Sequence, residues 1–215
     1  MWIDPVKTID LIIKGLIVGI IVSAPMGPVG ILTVRRTLNK GHWYGLATGI
    51  GAALSDIIYA VLTVLGMSVV IDFIEKPSTM LYLKLVGTIM LFIFGWYTFR
   101  SKPSIAPPSK NRGSLFHNAL TGFLVTLSNP LIIFLFLALF ARFEFVQPDS
   151  NTELFMGVVG ILAGALIWWA SLTCIISKVR NCFHMDTISR INRYIGVGVM
   201  IASVIGLLFT IYQAR

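Results

Sequence analysis

The sequence predicts an all-α integral membrane protein with six transmembrane helices, arranged as two inverted three-helix repeats with broken first and fourth helices. Three observations predict it. Long apolar runs recur through nearly the whole chain, alternate connections are basic, and prolines interrupt the first and fourth runs at matching places.

Hydrophobic residues make up 56% of the 215-residue chain and charged residues only 12%, with a mean hydropathy of +0.86. A soluble domain would carry about a quarter charged residues. The apolar runs fall at roughly 9–34, 44–71, 80–99, 115–140, 154–177 and 194–212. Each is long enough for the ~20 residues that cross a ~30 Å hydrocarbon core. An apolar stretch of the first run ends in "VSAP" and resembles a signal peptide there, but Asp4 and Asp10 offset Lys7 and Lys14, and a proline follows the candidate cleavage alanine. Both features oppose cleavage, so the run is expected to be retained as the first span.

The net charge of +8 is unevenly spread. Arg35, Arg36 and Lys40 follow the first run, Arg100, Lys102, Lys110 and Arg112 the third, and Lys178, Arg180, Arg190 and Arg193 the fifth. The acids Asp4, Asp10, Asp72, Glu75, Glu144, Asp149 and Glu153 lie in the other connections and the N-terminal segment. Basic residues collect on the cytoplasmic side of membrane proteins, so both termini are expected outside. The charge reports topology, and no nucleic-acid partner is expected.

Residues 1–100 form the first expected repeat, 101–114 a basic cytoplasmic linker, and 115–215 the second repeat. "GIIVSAPMGP" opens the first and "GFLVTLSNPL" the second, and "YLKLVGTIMLFIFGW" rhymes loosely with "RYIGVGVMIASVIGLL". Three spans is an odd number, so the second repeat is inverted relative to the first. Inverted repeats with interrupted helices at matching positions point to a secondary transporter.

At the breaks, Pro25 and Pro28 each remove a backbone donor, leaving the carbonyls of Ile21 and Ala24 without their helical partners, and Pro130 does the same to Thr126. Plain kinks are one outcome. The other is a pair of half-helices, because Gly27-Pro28 and Asn129-Pro130 are also helix-start signals. A half-helix beginning at membrane depth would turn its free N–H groups and positive dipole end toward an anion such as a carboxylate.

Asp56 lies about twelve residues, or roughly 18 Å, into the second span. An ionised Asp there costs about 2.5–3.5 kcal/mol on insertion scales. No Lys, Arg or His lies at comparable depth. Such an acid suits a proton carrier or a counter-ion for a substrate ammonium. Tyr59, nearly one turn on, is placed to reach the same cavity. Ser23 and Ser128 flank the breaks, and Trp168 lies mid-span beside Trp169; these three join the candidate substrate contacts.

Gly45, Gly49 and Ala53, like Gly160 and Gly164, repeat at four-residue spacing and read as close helix packing. His42, His117 and His184 lie near the cytoplasmic boundary, so no metal site is expected. Cys174 and Cys182 have neither a metal nor a redox spacing, and no cofactor is implied.

With these residues assembled, the chain resembles the bacterial lysine-exporter (LysE/RhtB) family of amino-acid efflux proteins. The matching stretches are "PMGP" followed by "LNKGHWYGLATGIGAALSDIIYA", then "YLKLVGTIMLFIFGWYTFR", "TLSNPLIIFLF" and "GILAGALIWWASL". The resemblance covers essentially the whole chain. It implies a six-span exporter of the bacterial inner membrane, with inverted halves and proton exchange. Pro25, Gly27, Pro28, Asp56, Asn129 and Pro130 match its motif positions, whereas Met26 stands where the family more often has a proline. The related thiol-electron carriers need cysteines beside both breaks, and Ser23, Ala24, Met26 and Ser128 stand there instead.

The expectation is an exporter of amino acids or similar small zwitterions, with carboxylate recognition at Pro28 and Pro130 and proton coupling at Asp56. Transport of another solute or a metal cation, or a passive channel, is the alternative. An enzyme would need a metal or a paired acid and base, and the span sequences carry neither. The sequence leaves the oligomeric state open, a homo-oligomer included.

Overall fold

A computed structural model of the chain describes residues 5–74, 77–100, 113–129, 131–143, 145, 151–179 and 186–213. Among them the chain forms eight α-helices and no strand. These are α1 (Pro5–Ser23), α2 (Pro28–Lys40), α3 (His42–Ile74), α4 (Pro77–Arg100), α5 (Leu115–Leu127), α6 (Leu131–Phe143), α7 (Asn151–Lys178) and α8 (Asp186–Gln213).

Three segments of single helices are long and apolar enough to cross a membrane: His42–Gly66, Leu154–Lys178 and Ser189–Tyr212. Two bent pairs pass the same test jointly, α1 with α2 at 79° and α5 with α6 at 71°. The described residues therefore supply three spans, or five if each bent pair is one span. The third expected span, 80–99, falls on α4, part of whose side chains lie outside the described residues, and α4 is not among the five.

The bends follow from local chemistry. α1 ends at Ser23, and α2 begins at Pro28 with Gly27 as its N-cap in extended conformation. Pro at the first helical position gives up an N–H that has no intrahelical partner anyway. Between them the Gly27 N–H donates to the Pro25 carbonyl at 2.9 Å, a tight turn no helix contains. In the second pair, the Asn129 N–H turns back to the Thr126 carbonyl at 3.0 Å. That carbonyl, expected to lose its donor, is satisfied by the turn.

The largest helix pairings are α1 with α7, α3 with α5 and α4 with α8. Each joins a helix before the 101–114 stretch to one after it. Glycines permit the approach. A Cβ on Gly19 would strike the Ile161 carbonyl, and one on Gly164 the Leu16 carbonyl, so α1 and α7 pack backbone to backbone. A Cβ on Gly95 would lie 2.9 Å from the Gly196 carbonyl, which sets the same contact between α4 and α8. Apolar helices gain little from hydrophobic burial in lipid, and small residues let dispersion contacts replace it.

Two buried clusters flank the bends. Leu135, Phe136, Leu139, Phe140 and Phe145 pack with Leu11, Val18 and Tyr59. Met26, Val34, Ala52, Ala53, Ala165 and Trp169 form the other cluster. Large apolar side chains on α8 and α4, among them Ile205, Leu208, Ile89 and Ile93, point outward, as lipid-facing surfaces do.

Candidate functional site

A cavity of about 110 Å³ lies where the two bends meet the middle of α3. Val22 through Val29, Ala24 excepted, line it from the first bend, Thr126 and Asn129 from the second, and Ala52 and Asp56 from α3. Trp169 on α7, Asn192 on α8, Phe94, Tyr97 and Thr98 on α4, and Val125 and Ile132 beside the second bend complete the wall.

Asp56 is 3% exposed. Its carboxylate accepts from the Ser23 hydroxyl at 3.3 Å. No described Lys, Arg or His forms an ion pair with it. A buried acid with one long hydrogen bond retains capacity for a cationic or protic ligand.

Two further polar groups on the wall have no partner: the Thr126 hydroxyl and the Trp169 indole N–H. Both residues are 2% exposed. Most threonines in these helices donate to the carbonyl four residues back, as Thr63 does to Tyr59 and Thr173 to Trp169. Thr126 does not. A buried donor without a partner costs about 1–3 kcal/mol, a cost a bound carboxylate would remove.

The first bend is held from α8. The Met26 N–H donates to Asn192 Oδ1 at 2.9 Å, and Asn192 Nδ2 donates to the Met26 carbonyl at 3.0 Å. One side-chain amide thereby satisfies both backbone groups of a residue that no helix can serve. The second bend is held from α3, where the Tyr59 hydroxyl donates to the Leu127 carbonyl at 2.6 Å, with the Asn129 carbonyl at 3.3 Å.

Of the residues singled out in the sequence, Ser23, Pro25, Gly27, Pro28, Asp56 and Asn129 share this cavity. Three others do not line it. Tyr59 spends its hydroxyl on the second bend. The Ser128 side chain is exposed and donates to the Leu124 carbonyl at 2.7 Å, the usual bond of a helix-end serine. Trp168 lies off the wall, and Trp169, its neighbour in sequence, takes the lining position. Pro130 and Cys182 lie outside the described residues, and Cys174 is exposed and unpaired.

Asn192 and Thr126 were not among the candidates, and of the mid-span tryptophan pair Trp168 rather than Trp169 was the expected contact. Trp169 had an indirect signal: a Cβ on Gly49 would lie 2.6 Å from its ring, so the small-residue face of α3 is the seat of that indole. Among the described residues no group of three or more His, Cys, Asp or Glu could hold a metal ion.

The family model for LysE type translocators matches residues 20–213. The chain belongs to the LysE type translocator family. Translocators of this family are transporters rather than enzymes, and this one is a multi-pass membrane protein. The translocator is 26% identical over 196 residues to the Bacillus subtilis "Putative amino acid efflux protein YcgF", covering 89% of this chain and 92% of that one. It is 25% identical over 166 residues to "Putative amino-acid transporter YisU" of the same organism, covering 77% and 74%. A third relative, the Escherichia coli "Uncharacterized membrane protein YahN", is 26% identical over 140 residues, 64% of this chain and 61% of that one. No solved structure matches the translocator.

Proposed function

We propose that this translocator exports amino acids or similar small zwitterions from the cytoplasm by proton antiport across a bacterial inner membrane. In this reading the substrate ammonium, or a proton in exchange, occupies Asp56. The carboxylate meets the start of α2 at Pro28, the Thr126 hydroxyl and the Trp169 indole N–H. Export rather than uptake is the direction that the name of the YcgF relative carries.

The observation that carries the reading is one cavity shared by both helix bends and a buried acid without a basic partner. A zwitterion needs one anionic group and one set of donors a few ångströms apart, and this wall offers both. The cavity size supports a small ligand. A cavity of about 150 Å³ lined by apolar residues binds benzene, with six heavy atoms. The 110 Å³ here suits an amino acid the size of alanine or serine.

The reading includes six spans in two inverted repeats with both termini outside. Its support is the exchange symmetry of the packing: swapping the halves turns the α1–α7 pair into α5–α3 and returns α4–α8 to itself. Inverted repeats that rock around a midplane site give alternating access. A metal cation would need several oxygen ligands, and Asp56 is the one carboxylate on the described wall.

Counterflow into proteoliposomes of purified protein, with a panel of amino acids and divalent cations, tests the substrate class. Small zwitterions should exchange and divalent cations should not. Exchange of cations alone would overturn the proposal.

A further inference from the structure

The two bends share an arrangement that their own sequences do not explain. Each breaks a helix at depth, where lipid offers no hydrogen bonds and exposed backbone costs several kcal/mol per group. Each is repaired by one side chain from the other half of the chain. Asn192 on α8 takes both backbone groups of Met26. Tyr59 on α3 takes the Leu127 carbonyl. Asn192 is fully buried and Tyr59 is 7% exposed.

Their positions differ in depth. Tyr59 follows Asp56 by three residues, about 4.5 Å further from the His42 end of α3. Asn192 lies in the second turn of α8, and in the proposed six-span topology the starts of α8 and α3 share the basic-loop face. Asp56 and its cavity therefore sit between the two bonds along the membrane normal. Asn192 ties the bend on the face of the basic loops, and Tyr59 ties the bend toward the opposite face.

We propose that Asn192 and Tyr59 are positioning residues acting as a reciprocal pair of latches, each closing the cavity toward one face of the membrane. This rests on the cavity being the transport site. With both latches made, as here, both bends are pinned against the cavity. Releasing Asn192 from Met26 frees the start of α2 and opens the cavity toward the basic-loop face. Releasing Tyr59 from Leu127 frees the end of α5 and opens it toward the other face. Neither latch contains a charged group, so each costs little to break and to remake. The backbone groups set free are rehydrated by the water that enters.

The test uses full-length protein carrying Cys174→Ser and Cys182→Ser, with Ala52→Cys as a reporter on the cavity wall. A membrane-impermeant maleimide is applied to sealed right-side-out and inside-out vesicles. Asn192→Ala should raise labelling about tenfold or more from the basic-loop face alone, as loss of its two hydrogen bonds to Met26 predicts. Tyr59→Phe, which loses one bond to Leu127, should raise it about fivefold from the opposite face alone. Asn192→Asp keeps the side-chain volume and loses the donor to the Met26 carbonyl, and it should shift labelling in the same direction as Asn192→Ala. This variant keeps the test open if the alanine variant does not reach the membrane.

Loosened packing would expose the reporter to both faces at once, and that result would overturn the proposal. Increased labelling from one common face in both variants, or from neither face, would overturn it too. Labelling needs no substrate and no gradient, so the latches stand or fall separately from the amino-acid assignment.

Discussion

The Ser23 hydroxyl donates to the Asp56 carboxylate at 3.3 Å, joining the last residue of α1 to the midpoint of α3. This bond ties the buried acid to the first bend, so a change of charge at Asp56 is felt where α1 gives way to α2. Ser23→Ala removes it without enlarging the side chain. Gradient-driven transport should fall several-fold, less than in Asp56→Asn, with the protein still reaching the membrane in normal amounts. Equal transport by Ser23→Ala and wild type would uncouple the bend from the acid.

Thr126→Val separates binding from stability. The hydroxyl it removes is buried and unpartnered, so the apo protein should gain up to about 1 kcal/mol, read as a higher unfolding temperature in detergent. Affinity for the exchanging amino acid should drop about tenfold if that hydroxyl meets the carboxylate. A variant that is both more stable and as tight as wild type would remove Thr126 from the substrate contacts.

Trp169 depends on its seat. Gly49→Ala drives a Cβ to 2.6 Å from the indole, and Trp169 must shift. Over-packing of this kind costs about 1–3 kcal/mol, and here it also reshapes the cavity wall. The half-saturation concentration for exchange should rise. Gly66→Ala on the same helix has nothing within 4 Å and serves as the control, with unchanged exchange and stability.

The same reasoning ranks substrates. Alanine and serine should exchange through the 110 Å³ cavity, whereas tryptophan should compete poorly with them in counterflow. Preference for large aromatic amino acids would mean that the cavity opens well beyond the 110 Å³ described above.

Pro25, Gly27, Pro28 and Asp56 stood out in the sequence because each is the wrong residue for an apolar helix, and such misfits are visible without a fold. The bend between Ser23 and Pro28 follows from that local chemistry, as does the start of α2. Choosing between Trp168 and Trp169 was beyond the sequence, because the rotational phase of α7 is set by its packing on α1 and α3. Asn192 was hidden differently. It sits between Arg190 and Arg193, where an amide reads as part of a wet interface, and only tertiary contact brings it to Met26. Tyr59 was placed near the right space, but the backbone need of a distant bend claims its hydroxyl.

The account turns on Asp56. The direct measurement is amino-acid efflux from proteoliposomes under an imposed pH gradient, comparing wild type with Asp56→Asn. Wild type should show efflux that rises with the gradient, and Asp56→Asn should lose that dependence while remaining folded. Gradient-driven efflux by Asp56→Asn equal to wild type would contradict the assignment of proton coupling to this residue.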